Sequence, residues 1–314
     1  MAEWLFEAGI GEDRAALVDD DVIIAARIDR HGDRLRVGFV GGARLVETPR
    51  NGKLGRVVTV GGEEAVLQAA PPGVTEGGFL LIEIVREAIA ERGRPKRAVA
   101  VVTGEDPRAA PTLREQLESS DYPYRECWPH EPDALEAAGW SELLEEAATG
   151  EIAFADGKLR MTVTPAMTLF DVDGPGDAAA LACSGARAAA AAIVRHGIAG
   201  SVGIDLPTLA SKAERQAADA ALDTALFEFD AGPYDRTATN GFGFVQIIRP
   251  RHRMSLPESL AADPALAAAL ALLRRLERDP QPVVDVPAAV LAKLQPYVAE
   301  LARRTGRSCE FRSR

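Results

Sequence analysis

Three aspartates in the middle of the chain have the types and spacing that could hold a metal ion. Asp171 and Asp173 follow the apolar run 167–170, and Asp205 follows the run 201–204. Each run has the length and composition of a buried strand that stops at turn residues. Between them, residues 178–196 are rich in alanine and end before Gly197, which predicts a helix.

A strand, a helix and a second strand of this length usually give a parallel pair with a right-handed crossover. We therefore expect Asp171 and Asp205 roughly 5 Å apart at one edge of a sheet, with Asp173 on the same face as Asp171. Oxygen ligands suit Mg²⁺, and Mn²⁺ is the alternative. Aspartates at strand ends also cap helices, and Asp205 could do only that. Spacing alone leaves both interpretations open.

The composition is that of an ordinary globular protein. The chain has 314 residues, of which 47% are hydrophobic and 26% charged, enough for about two domains. It carries 36 lysines and arginines against 47 aspartates and glutamates, so its net charge is −11. An acidic chain lacks long-range attraction for phosphates, which argues against a general nucleic-acid binder.

Neither a membrane nor an oxidising compartment is indicated. No apolar stretch reaches the ~18 residues that span a bilayer, and the N-terminus has no basic region typical of a signal peptide. We therefore expect a cytoplasmic protein. Cys127, Cys183 and Cys309 are far apart and form no Cys-x-x-Cys pair, so no structural zinc site is expected.

Glycine pairs, a basic connector and a proline-rich segment divide the rest of the chain. Residues 35–87 are rich in short strands separated by glycine pairs, which suits a small barrel of the oligonucleotide-binding kind. A basic connector with Arg92 and Lys96 follows, and residues 121–135 are proline-rich and loop-like. The tail from Leu260 predicts helices.

A second cluster of functional side chains is basic. Arg249, Arg251, His252 and Arg253 follow a predicted strand at 243–248. Such a cluster beyond a strand end suits backbone phosphates. The alternative is a solvated turn that balances nearby acids. A metal ion together with cationic side chains is a common arrangement for phosphodiester hydrolysis.

These motifs, in this order, resemble the ribonuclease E/G family. Residues 162–173 are similar to the segment that leads into the family's catalytic Asp-x-Asn, and residues 198–206 resemble the context of its second catalytic aspartate. Residues 239–256 look like its strand with Thr-Arg-x-Arg and Ser-Leu, and residues 52–57 with 76–87 look like its S1-type barrel. The resemblance covers nearly the whole chain and is strongest between 160 and 257.

The resemblance implies an α/β fold with an inserted small β-barrel. Residues 1–34 and 97–135 would form a split RNase H-like subdomain, interrupted by an S1/OB-like barrel at 35–96. A DNase I-like α/β catalytic subdomain at 136–257 and a small α-rich C-terminal domain at 258–314 would follow.

The implied activity is that of a divalent-metal-dependent endoribonuclease on single-stranded RNA. Asp171 and Asp205 would bind Mg²⁺, and Asp173 would orient the metal or the attacking water. The implied RNA-binding residues are the following basic side chains: Arg249, Arg251, Arg253, Lys53, Arg56, Arg94, Lys96 and Arg97.

The departures from the family pattern shape these expectations. Asp173 stands where the family has asparagine, and Gly241 where it has arginine. No cysteine pair follows Pro257, so a zinc-linked tetramer is not expected, although a homodimer remains open. Nothing matches the pocket that senses a 5′-monophosphate, so cleavage should be indifferent to that group. The competing functions are an RNA-binding protein of the same fold with weak turnover and a small-molecule phosphodiesterase.

Overall fold

The computed structural model describes residues 1–32, 35–50, 54–69, 73–91 and 95–314. Its architecture is mixed α/β, with several sheets and one closed β-barrel. The chain begins with three antiparallel strands: β1 (Glu3–Ala8), β2 (Glu12–Asp19) and β3 (Val22–Arg30). The barrel follows these three strands in the chain. Their sheet gains its fourth strand only after the barrel.

Five strands form the barrel: β4 (Val40–Glu47), β5 (Gly55–Thr59), β6 (Glu64–Leu67), β7 (Phe79–Arg86) and β8 (Ala98–Val102). Their order is β4-β5-β6-β8-β7, and β7 pairs back with β4 to close it. Buried residues such as Leu45, Val57 and Ile82 alternate along these strands and fill the interior. The predicted barrel was expected to end at residue 96, whereas β8 beyond that boundary supplies its fifth strand. The apolar pattern at 98–102 identifies a buried strand but not its partner.

The next elements return to the first sheet: α1 (Leu113–Glu118), β9 (Tyr124–Glu126), α2 (Ala134–Ala137) and α3 (Trp140–Thr149). Strand β9 pairs in parallel with β1, so the four-stranded order is β3-β2-β1-β9. Leu113 on α1 belongs to the core on one face of this sheet, and Trp140 on α3 to the core on the other. The apolar face of α3, which lies beyond the predicted boundary at 135/136, packs against this sheet.

A six-stranded sheet and two helices follow: β10 (Glu151–Phe154), β11 (Gly157–Val163), β12 (Thr168–Asp173), α4 (Ala178–Arg195), β13 (Gly200–Asp205), α5 (Lys212–Glu228), β14 (Asp235–Arg236) and β15 (Phe244–Arg249). The order is β10-β11-β12-β13-β15-β14, and only β12 and β13 are parallel among its described pairs. Helix α4 packs on the strands and α5 packs on α4. A Cβ at Gly185 would lie 2.4 Å from Val172, so glycine permits this close approach. The opposite face of the sheet is left open.

The C-terminal part is rich in helices: α6 (Leu256–Ala262), α7 (Pro264–Arg278), β16 (Val283–Val286), α8 (Ala288–Leu294), α9 (Val298–Thr305) and β17 (Glu310–Ser313). A 3₁₀ turn at Gln295–Tyr297 joins α8 to α9. Strands β16 and β17 form a small parallel sheet that the sequence did not predict as a pair. The apolar side of α7 packs with both following helices and with Ile10 of the first sheet.

A buried ion network joins the first sheet to α7. Arg14 donates to Glu7 at 3.0 Å and to Asp133 at 2.7 Å. From α7, Arg278 also bonds to Glu7, and Arg274 bonds to Glu12. The guanidinium of Arg14 lies 5.2 Å from the centre of the Trp140 ring, which adds a cation–π contact.

One described helix, α4, is long and apolar enough to cross a membrane by length and composition, and the bent pair α6 and α7 would make a second if counted as one span. Within the protein, 44% of the apolar helix Ala178–Arg195 is buried. That buried side packs on the six-stranded sheet and α5, as in the core helix of an α/β layer.

Candidate metal centre

Asp171 and Asp205 lie side by side on the open face of the six-stranded sheet. Strands β12 and β13 are parallel, and their register pairs Asp171 with Asp205. Paired residues on neighbouring strands lie about 5 Å apart and point to the same face. Both residues are exposed, whereas Phe170 and Ile204, one position earlier, are buried against the helices. The predicted neighbourhood of these two aspartates is therefore present.

Helix capping does not account for these aspartates. Asp177 caps α4, because its Oδ2 accepts from Ala180 N at 2.9 Å. Ser211 caps α5 in a reciprocal capping box with Glu214. Within the described ranges, neither Asp171 nor Asp205 makes a side-chain hydrogen bond or an ion pair with another residue. The alternative that these two residues act as caps is therefore wrong.

Asp173 stands apart from the pair. It shares their face but lies one strand repeat further, opposite Lys158 of β11, whose Nζ is 3.8 Å from its carboxylate. Its side chain is 71% exposed. Among the residues that the structure describes, no group of three or more His, Cys, Asp or Glu side chains could hold a metal ion. The geometry thus gives a pair of carboxylates with a third nearby.

A two-carboxylate site fits magnesium better than it fits most other metals. Mg²⁺ commonly keeps several waters and takes one or two carboxylates together with substrate phosphates. Asp171 and Asp205 supply oxygen donors of this type, and the open face leaves room for water and for a phosphate. The three cysteines are free and separated, with Cys127 buried in the core between the four-stranded sheet and α3.

An aromatic turn that the sequence interpretation did not single out lies next to Asp205. Phe244 is the cross-strand partner of Asp205, and Phe242 is 83% exposed. The side chain of Asn240 holds this turn by accepting from Phe242 N at 2.8 Å and from Phe244 N at 3.1 Å. The Asn-Gly-Phe-Gly-Phe segment was the available signal, since it combines turn residues with two aromatic rings.

Gly203 lets an apolar floor form beside the two carboxylates. A Cβ at this position would lie 2.6 Å from the Phe244 ring and 2.8 Å from the Leu169 side chain. Glycine therefore allows the side chains of Leu169 and Phe244 to meet over the strand between them. Gly243 has φ +92°, and a Cβ there would lie 2.3 Å from the carbonyl oxygen of Leu206. The turn is thereby seated against the chain that follows Asp205.

The basic segment lies at the other end of the central strands from the two aspartates. Because β15 runs antiparallel to β13, Arg249 is paired with Gly200 rather than with Asp205. Five residues of strand separate the two positions, which is roughly 17 Å. The terminal nitrogens of Arg249 donate to the carbonyl oxygens of Ile198 and Ala231. Burial lowers the pKa of Arg249.

The residues after Arg249 connect the six-stranded sheet to the barrel and to α6. Arg251 donates to Glu91 at 3.2 Å and also bonds to Glu258. His252 donates through Nδ1 to the carbonyl oxygen of Val85 on the barrel at 2.9 Å. Arg253 is exposed, and its described hydrogen bond runs to the neutral side chain of Gln116 at 3.1 Å. The basic residues that the sequence places together therefore do not lie close to the two aspartates in the structure.

The described basic residues predicted on the barrel side are paired with acids. Arg56 and Arg97 both contact Glu64, at 2.7 Å and 3.0 Å. Lys96 contacts Glu91 at 2.6 Å. Lys53 and Arg94 lie outside the described residues. These exposed or half-exposed ion pairs reduce the positive charge that the barrel offers to a strand of RNA.

Comparison with known proteins supplies no identity. No protein-family model matches the chain, and no curated protein matches it.

Proposed function

We propose that this protein is a divalent-metal-dependent endoribonuclease that cleaves single-stranded RNA, a reduced relative of the ribonuclease E/G type. The proposal is carried by one observation, the register pairing of Asp171 with Asp205 on an open sheet face. Two exposed carboxylates without described ion-pair partners repel each other and add nothing to stability. Such an arrangement is typical of a metal-binding site.

Asp171 and Asp205 would hold Mg²⁺, with Mn²⁺ as the alternative. A bound divalent cation supplies charge neutralisation at a phosphate and a more acidic water. Asp173 would accept a hydrogen bond from the attacking water and orient it toward the phosphorus. Lys158, 3.8 Å from Asp173, offsets the extra negative charge at the position where the family has asparagine.

The RNA strand would cross the open face of the six-stranded sheet. Phe242 and Phe244 offer aromatic rings next to the carboxylates, and stacking contributes about 1–3 kcal/mol per base. On the other side of the pair, Lys158 and Arg160 lie within β11 on the same face, opposite Asp173 and Asp171. Arg160 also contacts Glu151 at 3.0 Å, in an exposed ion pair. The charges of Lys158 and Arg160 suit the flanking phosphates.

Arg249 and Arg251 do not enter this proposal as direct phosphate ligands. Their guanidinium groups are engaged by backbone carbonyls and by acids. Arg253, Arg56, Lys96 and Arg97 would guide the strand more weakly, as exposed charges.

The proposed family relationship also covers the finer architecture. The barrel order β4-β5-β6-β8-β7 with closure onto β4 is compatible with an S1/OB-like barrel. Its insertion within the four-stranded sheet supports an RNase H-like subdomain, and the open-faced six-stranded sheet supports a DNase I-like catalytic subdomain.

Cleavage of a labelled AU-rich single strand tests the proposal. We expect products from the wild type only with Mg²⁺ or Mn²⁺, and rates at least about 100-fold lower in Asp171→Asn and Asp205→Asn. Asp235→Asn is the matched control, because Asp235 is an exposed carboxylate on the edge strand of the same sheet. Metal-independent products, or equal rates in all three variants, would sink the nuclease proposal.

A second candidate is an RNA-binding protein of the same fold with little turnover. It is favoured by the lack of a three-ligand group in the described ranges and by the Asp173–Lys158 contact. RNA binding by the wild type without metal-dependent products would support it. Hydrolysis of bis(p-nitrophenyl) phosphate without RNA binding would instead identify a small-molecule phosphodiesterase.

A further inference from the structure

A cleft of about 600 Å³ lies away from the aspartates, between the four-stranded sheet and the six-stranded sheet. Its walls come from β3, the turn after α1, the loop between α4 and β13, and the segment after β15. Arg249 lines it, so the cleft lies at the edge opposite Asp205, roughly 17 Å along the strand. It is large enough for a mononucleotide-sized ligand.

Two arginines in this cleft lack acidic partners. Arg27 lies with its guanidinium 5.1 Å from the centre of the Trp4 ring and makes no described hydrogen bond or ion pair. Part of its side chain is exposed, yet the surrounding protein lowers its pKa to about 10, first by desolvation and then by the charge of Arg253. Arg253 bonds to a neutral side chain, that of Gln116. The two cations therefore repel each other in a chain that is otherwise acidic.

Two residues that line the cleft carry buried polar atoms without described hydrogen-bond partners. His196 is fully buried, and its Nε2 lies 3.2 Å from the carboxylate of Glu146. Burial lowers the pKa of His196, which favours the neutral ring with Nε2–H donating to Glu146. Its Nδ1 is then an acceptor, and it makes no described hydrogen bond. The Nε–H group of Arg249 is also buried and makes no described hydrogen bond.

The remaining lining of the cleft is mixed, with both apolar and acidic side chains. Apolar and aromatic side chains, among them Ile24, Tyr122 and Phe229, form part of the wall. Three acids also line the cleft: Asp121, Glu228 and Asp230. None of them is among the charges that influence the pKa of Arg27. Acids within one cleft disfavour a polyanion along its whole length, because like charges repel.

We propose that this cleft binds a small phosphorylated ligand of mononucleotide size, with its phosphate between Arg27 and Arg253. The phosphate relieves the repulsion between the guanidinium groups, since each gains a charge-assisted hydrogen bond. The Trp4 ring beneath Arg27 holds that side chain ready for the anion.

Isothermal titration with adenosine 5′-monophosphate, ribose 5-phosphate, adenosine and inorganic phosphate tests this assignment on the full chain. We expect adenosine 5′-monophosphate to bind the wild type, and adenosine to bind at least about 10-fold more weakly. Ribose 5-phosphate that binds as tightly as the nucleotide would support a sugar phosphate as the ligand. Inorganic phosphate as the tightest ligand would overturn the mononucleotide size.

Variants locate the site. Arg253→Gln and Arg27→Gln should each weaken nucleotide binding at least about 10-fold. Arg253 is exposed, so the first variant should leave the fold intact. Arg303→Gln is the matched control, since Arg303 is 73% exposed on α9. Asp171→Asn should bind the nucleotide normally, which separates this proposal from the nuclease proposal. No binding by the wild type, or normal binding by both Arg27→Gln and Arg253→Gln, would overturn it.

Discussion

Charged side chains are treated differently in two regions of this molecule. In the network between β1, β2 and α7, Arg14 and Glu7 are each 2% exposed and lie 3.0 Å apart. On the open face of the six-stranded sheet, Asp171 and Asp205 are exposed neighbours of like charge. The first region pairs every named charge with an opposite one, whereas the second brings together two charges of the same sign.

The difference separates stability from function. A buried charge that loses its partner carries a large desolvation cost, so the network residues are held by the requirements of folding. An exposed pair of carboxylates contributes little to folding, so its geometry is better explained by a ligand. Substitutions in the two regions should therefore have opposite signatures in unfolding and in cleavage.

The largest effect is expected in the network. Arg14→Met leaves Glu7 and Asp133 with only their remaining contacts to α7, and should lower the free energy of unfolding by about 3 kcal/mol. Arg160→Met is the matched control, because it removes an exposed pair with Glu151 and should cost at most about 1 kcal/mol. Urea unfolding measures both, and equal losses would contradict the comparison.

The next effect is a pH dependence from His196, a buried titratable group outside both regions. Burial lowers its pKa below the ordinary value of 6.5, so the unfolded chain binds more protons once the pH falls below that value. The stabilisation is complete above 6.5 and is lost as the pH falls from there toward the lowered pKa. The slope is at most about 1.4 kcal/mol per pH unit. Urea unfolding between about pH 7 and pH 5 should show a shallower dependence in His196→Gln; an unchanged slope would exclude His196 as its source.

Mg²⁺ should stabilise the open face by a smaller amount. At a concentration ten times its Kd, a ligand of the folded state adds about 1.4 kcal/mol to the free energy of unfolding. We expect a rise in Tm of the wild type and of Asp235→Asn on adding Mg²⁺, and its reversal by EDTA. The double variant Asp171→Asn, Asp205→Asn should show no rise. A rise of the same size in that double variant would place the metal elsewhere.

The smallest effect is expected at Asp173. Asp173→Asn removes one exposed charge whose described partner is Lys158 at 3.8 Å, so the free energy of unfolding should change by less than about 0.5 kcal/mol. Cleavage should stay within about 10-fold of the wild type, because asparagine can still accept a hydrogen bond from water. A loss as large as that of Asp171→Asn would make Asp173 a full metal ligand.

The sequence predicted the parts of the site that depend on local connections. Asp171 and Asp205 could be paired in advance because one helix joins their strands, and such crossovers give parallel neighbours. The position of Arg249 and of the basic residues after it could not be predicted from such a local connection. Whether β15 runs parallel or antiparallel to β13 decides the edge on which Arg249 lies, and the composition of a strand does not reveal its direction.

Long-range partners were also hidden from the sequence. Arg14 bonds to Asp133 across 119 residues, and Arg278 bonds to Glu7 across 271. No local pattern marks such pairs, since each residue alone resembles ordinary surface charge. The same limit explains β8, whose continuous apolar run identifies a strand but not the barrel that it closes.

The network between the first sheet and α7 has a consequence for the order of folding during synthesis. Glu7 and Glu12 leave the ribosome well before Arg274 and Arg278, to which they bond in the folded protein. Until Arg274 and Arg278 have been made, Glu7 and Glu12 lack two of their ion-pair partners. Strand β9, which completes the sheet, also comes after the whole barrel in the chain. The barrel, whose strands are close in sequence, can close on its own well before that. The four-stranded sheet therefore begins to be made before the barrel but reaches its final packing only after α7 has been made.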